Sequence, residues 1–200
     1  MWVLALSVFS MDKGNHYTLD PQGRWLRGAT HRFSPFQDAR PEGLPISALV
    51  IHNISLLPDQ FGSDYVDQLF LGCVQVDHPV LADVRGLRVS AHLFIRRSGQ
   101  VIQYVPFDRR AWHAGVSELA GQSRCNDFSI GIEMEGSDHR PFTMAQYHSL
   151  IGVTSALLAS YPDITLDRIV GHSDIAPGRK TDPGPHFDWN RYRLGLDKAS

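Results

Sequence analysis

Apolar runs of strand length recur along the chain between polar stretches that contain glycine and proline. Residues 48–53 (ALVIHN) and 128–134 (FSIGIEM) have the length and composition of buried strands, and residues 167–170 predict a last short strand. Residues 89–95 and 101–105 flank Arg97-Ser98-Gly99, a pattern typical of a β-hairpin. The hairpin indicates a sheet that is not purely parallel.

Helical spacing is clearest after Thr143, which is a good N-cap residue. The apolar stripe that follows has i, i+3, i+4, i+7 spacing, and Pro162 comes just after its end: Tyr147, Leu150, Ile151, Thr154, Leu157 and Leu158. We also expect a helix capped by Ser63 that ends near Leu71, a short helix over 79–86, and a short C-terminal helix from Asp188. The predicted fold class is α/β, a single domain with a central mixed β-sheet flanked by helices.

The first part of the chain shows no sustained periodicity of hydrophobic residues. Residues 11–47 are rich in Gly, Pro and Arg, and we expect an extended lead-in that wraps the domain. Residues 1–10 are apolar but lack a basic n-region and a clean cleavage site, so we interpret them as an over-extended start before Met11, not as a signal peptide. We assign residues 1–22 to an N-terminal extension and 23–200 to the domain.

Composition narrows the class of protein. A chain of 200 residues with 42% hydrophobic content suits one compact domain, and a net charge of −2 argues against a nucleic-acid-binding surface. Two cysteines, Cys73 and Cys125, do not make a disulfide framework. No stretch approaches the roughly 20 apolar residues that cross a bilayer, so we expect no membrane association. A cytoplasmic protein fits these features.

The densest group of chemically useful side chains lies in residues 170–185 (VGHSDIAPGRKTDPGP). The glycines and prolines predict a loop with fixed corners, and such loops often carry functional groups. His172, Lys180 and Asp182 stand out, because imidazole and carboxylate bind metals and a lysine can neutralise developing negative charge. The alternative is a surface loop with solvated charges.

Two further polar residues lie in predicted strands. His52 ends one of them and could join His172 and Asp182 as a three-ligand zinc site that leaves a position open for water, although a hydrogen-bonded core histidine is the alternative. Glu133 could take a proton from such a water while Lys180 stabilises the oxyanion. Glu135 shares a strand face with Glu133, and Glu133 could equally be an ion-pair partner of an arginine. Gly131 in the same strand indicates close approach of another group.

Five segments carry a recognisable family pattern: LVIHNIS (49–55), VSAH (89–92), RAWHAGVS (110–117), CNDFSIGIE (125–133) and GHSDIAP through RKTDPG (171–184). Together they resemble the AmpD-type N-acetylmuramoyl-L-alanine amidases, of the wider zinc amidase family that includes phage T7-type lysozyme and the peptidoglycan recognition proteins. The resemblance runs over roughly residues 23–196. It implies a cytoplasmic hydrolase of peptidoglycan recycling that binds one zinc ion per chain and cleaves the amide between the lactyl group of 1,6-anhydro-N-acetylmuramic acid and L-alanine.

Carried over residue by residue, the resemblance gives roles that spacing alone does not. The zinc ligands are His52, His172 and Asp182, the catalytic residues are Glu133 and Lys180, and the substrate-binding residues are Asn53, Arg88, Trp112, Arg124 and Arg179. The resemblance also assigns the catalytic role to Glu133 and not to Glu135. His92 and His113 are given no metal role and are expected to line the groove, whereas His139, His148 and His186 are expected on the surface. Ser173 stands where family members often have cysteine, which leaves the ligands intact.

Three other functions are compatible with some of these residues. A muropeptide-binding module without activity is disfavoured, because such relatives typically lack a zinc ligand. A non-haem iron oxygenase would also use two histidines and a carboxylate, but His186 follows His172 in the same loop. A periplasmic enzyme acting on intact cell wall is disfavoured by the weak leader and by the match to the anhydro-specific branch. The sequence leaves the oligomeric state, the preferred stem-peptide length and gating of the groove open, and we expect a monomer.

Overall fold

A computed structural model describes residues 17–75 and 78–199, so the interpretation of residues 1–10 lies outside the described residues. The strands are β1 Thr18–Leu19, β2 Leu26–Arg27, β3 Thr30–His31, β4 Gln37–Ala39, β5 Ala48–Ile54, β6 Leu93–Ile95, β7 Val101–Gln103, β8 Arg109–Ala111, β9 Glu118–Leu119, β10 Gln122–Ser123, β11 Ser129–Glu135 and β12 Ile169–Gly171. The helices are α1 Tyr65–Leu71, α2 Pro79–Ala82, α3 Met144–Ser160, α4 His172–Ile175 and α5 Trp189–Ala199, with 3-10 turns at Cys125–Asp127 and Leu166–Arg168.

A six-stranded mixed sheet organises the molecule, in the order β12-β5-β11-β6-β7-β3. The pairs β12–β5, β5–β11, β11–β6 and β7–β3 are parallel, and the β6–β7 hairpin is antiparallel. In the β5–β11 pair, His52 lies directly beside Glu133. The predicted mixed α/β sheet is therefore confirmed.

The two faces of the sheet have different partners. Leu49, Ile51 and Ile132 belong to the main core, which also contains Leu150 and Leu157 of α3. The alternate positions of β5 and β11 point to the opposite face, where the polar residues His52 and Glu133 lie. One face of β5 and β11 thus forms the main core under α3. The other face carries His52 and Glu133 together with a smaller apolar cluster that includes Ala48 and Val50.

Helix α3 begins as the sequence predicts. The Thr143 hydroxyl accepts the Gln146 N–H at 3.1 Å, and the Gln146 side chain accepts the Thr143 N–H at 3.0 Å, which forms a capping box. The Gln146 amide also donates to the carbonyls of Ile95 and Glu135, at the ends of β6 and β11. The start of α3 therefore holds the end of the strand that carries Glu133.

We expect Thr143→Ala to lower the free energy of unfolding by about 1–2 kcal/mol, because it removes the acceptor of the cap. Thr143→Ser keeps the hydroxyl and is the matched control. Urea denaturation followed by circular dichroism measures both variants. Equal stability of the alanine and serine variants would contradict a stabilising role for the cap.

Other predicted boundaries were wrong in detail. Helix α1 has Asp64, not Ser63, as its N-cap residue, and no side chain caps it, because the carboxylate of Asp64 pairs with Arg96 at 3.0 Å. Helix α2 is only four residues long. The expected extended lead-in contains short strands from residue 18 onward, and β4 pairs with β8. Among the described residues, no helix has the length and apolar character needed to cross a membrane.

Candidate active site

The three predicted metal ligands meet at one point. His52 lies on β5 and His172 begins α4 directly after β12, the neighbour of β5 in the sheet. Their Nδ1 atoms are 2.9 Å apart, and Asp182 Oδ2 is 3.0 Å from each of them. Both histidines are about 1–2% exposed, and the Asp182 side chain is 14% exposed. Three residues far apart in sequence thus form a compact triangle of donor atoms.

The hydrogen-bonding and protonation of the two histidines are compatible with a metal ion in this triangle. His172 Nε2 lies 3.1 Å from the carbonyl oxygen of Ala114, which can only accept, so Nε2 carries a proton and Nδ1 is the ring nitrogen that faces the triangle. Burial lowers the pKa of His52 to about 4, so the His52 ring is neutral at pH 7. One ion about 2 Å from each donor atom would satisfy two imidazoles and a carboxylate, a donor set that suits zinc.

The two neighbouring carboxylates of β11 have different surroundings. Glu135 accepts the N–H of Gly62 at 2.5 Å and that of Arg97 at 2.8 Å, one with each oxygen. Glu133 has a buried Oε2 without a hydrogen-bond partner among the described residues, and no ion pair there engages it. Burial, with a smaller contribution from the charge of Asp182, raises the pKa of Glu133 well above its usual value. The Glu135 carboxylate is therefore engaged by the backbone, whereas Glu133 Oε2 has no such contact among the described residues.

Lys180, Arg179 and Asn53 lie around the triangle. Lys180 is exposed, and its positive charge lowers the pKa of Glu133, although the opposite effect of burial is larger. Arg179 donates to the carbonyls of Ala114 and Val116 at 2.7 and 2.6 Å, so it holds the 114–116 segment in place. Asn53 uses its amide to donate to Asp138 and to the Pro183 carbonyl, next to Asp182.

The other predicted substrate-binding residues have their own contacts. The guanidinium of Arg88 lies over the Trp112 ring, 5.3 Å from its centroid, and the Trp112 indole donates to Asp38 at 3.2 Å. Arg124 pairs with Asp127 at 3.1 Å and is 71% exposed. The Trp112 ring also stacks on Phe36, with the ring centroids 6.2 Å apart. The exposed guanidinium groups of Arg88 and Arg124 remain candidates for ligand binding.

One histidine prediction was wrong. His92 does not line a groove but is fully buried, because its Nδ1 accepts the Gly131 N–H at 3.0 Å and its Nε2 lies 3.1 Å from the Arg109 carbonyl. His113 is half-buried and contacts His52 at 2.9 Å, which sequence reasoning missed. Asn126 was also missed, although it lies within one of the quoted segments, because no residue pattern shows that its side chain holds the backbone of His113 and Ala114. His139, His148 and His186 are exposed, as predicted.

Comparison with known proteins places the chain in a family. The sequence matches the N-acetylmuramoyl-L-alanine amidase family over residues 42–185. The 1,6-anhydro-N-acetylmuramyl-L-alanine amidase AmpD of Escherichia coli (strain K12) is 55% identical over 177 residues, which make up 88% of this chain and 96% of the relative.

The fold is also similar to solved structures of such amidases. The crystal structure of a selenomethionine AmpD derivative is similar with a TM-score of 0.85 and 54% identity, over 89% of this chain and 98% of that chain. The amidase AmiD from E. coli, in complex with the substrate anhydro-N-acetylmuramic acid-L-Ala-D-γ-Glu-L-Lys, is similar with a TM-score of 0.58 and 30% identity, over 78% of this chain and 60% of that chain. The chain therefore belongs to the N-acetylmuramoyl-L-alanine amidase family and, within it, to the AmpD-type amidases.

Proposed function

We propose that the protein hydrolyses the amide bond between the lactyl group of 1,6-anhydro-N-acetylmuramic acid and L-alanine in muropeptides released during peptidoglycan recycling. The observation that carries this proposal is the buried triangle of His52, His172 and Asp182 beside Glu133, whose Oε2 has no hydrogen-bond partner among the described residues. The high identity to relatives named for this reaction supports the same substrate class. The ligand in the AmiD complex is also an anhydro-muramyl peptide.

In this proposal His52, His172 and Asp182 hold one zinc ion per chain. The two imidazoles and the carboxylate leave room for a further ligand, as in catalytic zinc sites with three protein ligands. A zinc ion bound there would lower the pKa of a water molecule to about 7 and polarise the scissile carbonyl.

We assign the proton transfers to Glu133. Its buried Oε2 has no competing hydrogen bond among the described residues, and burial favours the protonated form once it has accepted a proton. Glu133 would take the proton from the attacking water and return it to the leaving amine of L-alanine. The ammonium of Lys180 would stabilise the oxyanion that forms on the lactyl carbonyl oxygen.

Substrate recognition is assigned to five residues around the site: Asn53, Arg88, Trp112, Arg124 and Arg179. Arginine guanidinium groups suit the carboxylates of a stem peptide, and an aromatic ring such as that of Trp112 suits contact with a sugar or lactyl group. The contacts of Arg179 with two backbone carbonyls suggest that this residue acts mainly by shaping the 114–116 segment.

The test is incubation of a purified anhydro-muropeptide with the protein, with and without a strong chelator, followed by mass spectrometry. We expect free anhydro-sugar and free peptide, no cleavage after chelation, and recovery with added zinc. Bound but uncleaved muropeptide would instead indicate a binding module. Cleavage restored by ferrous iron and not by zinc would overturn the metal assignment.

We also infer that the enzyme is monomeric and works in the cytoplasm, where its small substrate would be available. Subcellular fractionation of the tagged native protein tests the location. Recovery from the periplasm with a shortened N-terminus would contradict it.

A further inference from the structure

A line of hydrogen-bonded groups leads away from the metal-binding triangle, on the far side of His52. His52 Nε2 lies 2.9 Å from His113 Nδ1, and His113 Nε2 lies 3.3 Å from the Ser129 hydroxyl oxygen. That hydroxyl is 2.5 Å from the carbonyl oxygen of Cys125. Cys125, Ser129 and His52 are essentially inaccessible to solvent.

The direction of each hydrogen bond follows from the last acceptor. A carbonyl oxygen cannot donate, so the Ser129 hydroxyl donates to Cys125 and its oxygen must accept the Nε2 proton of His113. A neutral imidazole carries one proton, so His113 Nδ1 has a lone pair and accepts the Nε2 proton of His52. His52 Nδ1 is then unprotonated and faces the triangle.

We propose that His113 is a positioning residue that fixes the tautomer and orientation of His52, so that His52 presents the Nδ1 lone pair to the metal. The inference rests on the zinc site proposed above and adds a residue to it. Partners of this kind typically orient the histidine ligands of metals and affect affinity. His113 has a side-chain acceptor for His52, while the next residue, Ala114, has a backbone acceptor for His172. One dipeptide therefore orients both imidazole ligands.

The position of this dipeptide is itself fixed. The Asn126 side-chain oxygen accepts the N–H of His113 at 3.1 Å and that of Ala114 at 2.8 Å. The His113 ring packs on the backbone of Gly131, where an added Cβ would lie 2.4 Å from its Cγ atom. The glycine expected to permit a close approach therefore makes room for the His113 ring.

The test compares His113→Asn with His113→Leu. Asparagine can present an oxygen near the position of Nδ1 and accept the His52 proton, whereas leucine has a similar size and shape but no acceptor. The dissociation constant for zinc is measured by competition with a chromophoric chelator at one pH and without substrate. We expect the leucine variant to bind zinc about 10–100-fold more weakly than wild type, and the asparagine variant to stay within a few-fold of wild type.

A second measurement does not depend on whether the variants fold. In the zinc-loaded wild-type protein with ¹⁵N-labelled histidine, two-bond ¹H–¹⁵N correlation spectra report which ring nitrogen carries the proton. We expect His113 protonated at Nε2 and unprotonated at Nδ1. A proton on His113 Nδ1, or equal zinc affinity of the leucine variant and the wild type, would overturn the positioning role alone. A wild-type protein that binds no zinc would overturn the metal site on which it rests.

Discussion

We expect the Glu133→Gln variant to keep its zinc ion while kcat falls by about 10²–10⁴-fold, the usual contribution of a general acid–base residue. Glutamine is close to glutamate in size but cannot take up the proton, so the metal-binding triangle should be undisturbed. Glu133 is not one of its three donors. Zinc content by elemental analysis and the rate of peptide release measure the two effects separately.

Glu135→Gln is the matched control, two residues along the same strand face. Its carboxylate binds two backbone N–H groups, so we expect a lower free energy of unfolding and a kcat within a few-fold of wild type. The assignment of the reactive carboxylate is wrong if Glu133→Gln turns over at the wild-type rate, or if the two variants lose kcat equally.

We expect Asp182→Ala to lose the metal itself. The substitution removes one of three donors and the only negative charge among them, so zinc affinity should fall by more than the about 10–100-fold typical of residues that act through a ligand. The readout is zinc content after dialysis, together with the dissociation constant by chelator competition.

Asp174→Asn is the control for Asp182→Ala, because it neutralises a nearby carboxylate outside the triangle. Asp174 accepts the Gly171 N–H at 2.7 Å, and asparagine can keep that contact. We expect this variant to retain zinc. Full zinc occupancy of Asp182→Ala after dialysis would count against a ligand role for Asp182.

The local elements of the fold could be predicted because each is encoded within a short window. The stripe after Thr143 predicted α3, and the apolar runs predicted β5 and β11 within one or two residues. The pairing of β5 with β11 joins segments about 80 residues apart, and periodicity contains no information about such partners. The position of Glu133 beside His52 therefore required the structure.

In the candidate site, too, the sequence predicts the residue types but not the contacts between distant residues. Alternation along β11 could not choose between Glu133 and Glu135, whereas their hydrogen-bond partners distinguish them at once. His92 was misplaced in the groove because the groups that satisfy its two nitrogens come from Gly131 and Arg109, 39 and 17 residues away. The role of His113 was missed for the same reason, since its partners lie 61 and 16 residues away in sequence.

The wide separation of the donors also links metal binding to folding. His52 is 120 residues from His172 and 130 from Asp182, so an unfolded chain does not present them as a set. An ion that binds only the native arrangement shifts the folding equilibrium by mass action, and a free concentration 100 times the dissociation constant adds about 2.7 kcal/mol to the unfolding free energy. Zinc should therefore raise the melting temperature as a ligand does, and the zinc-free enzyme should be the form most open to proteolysis.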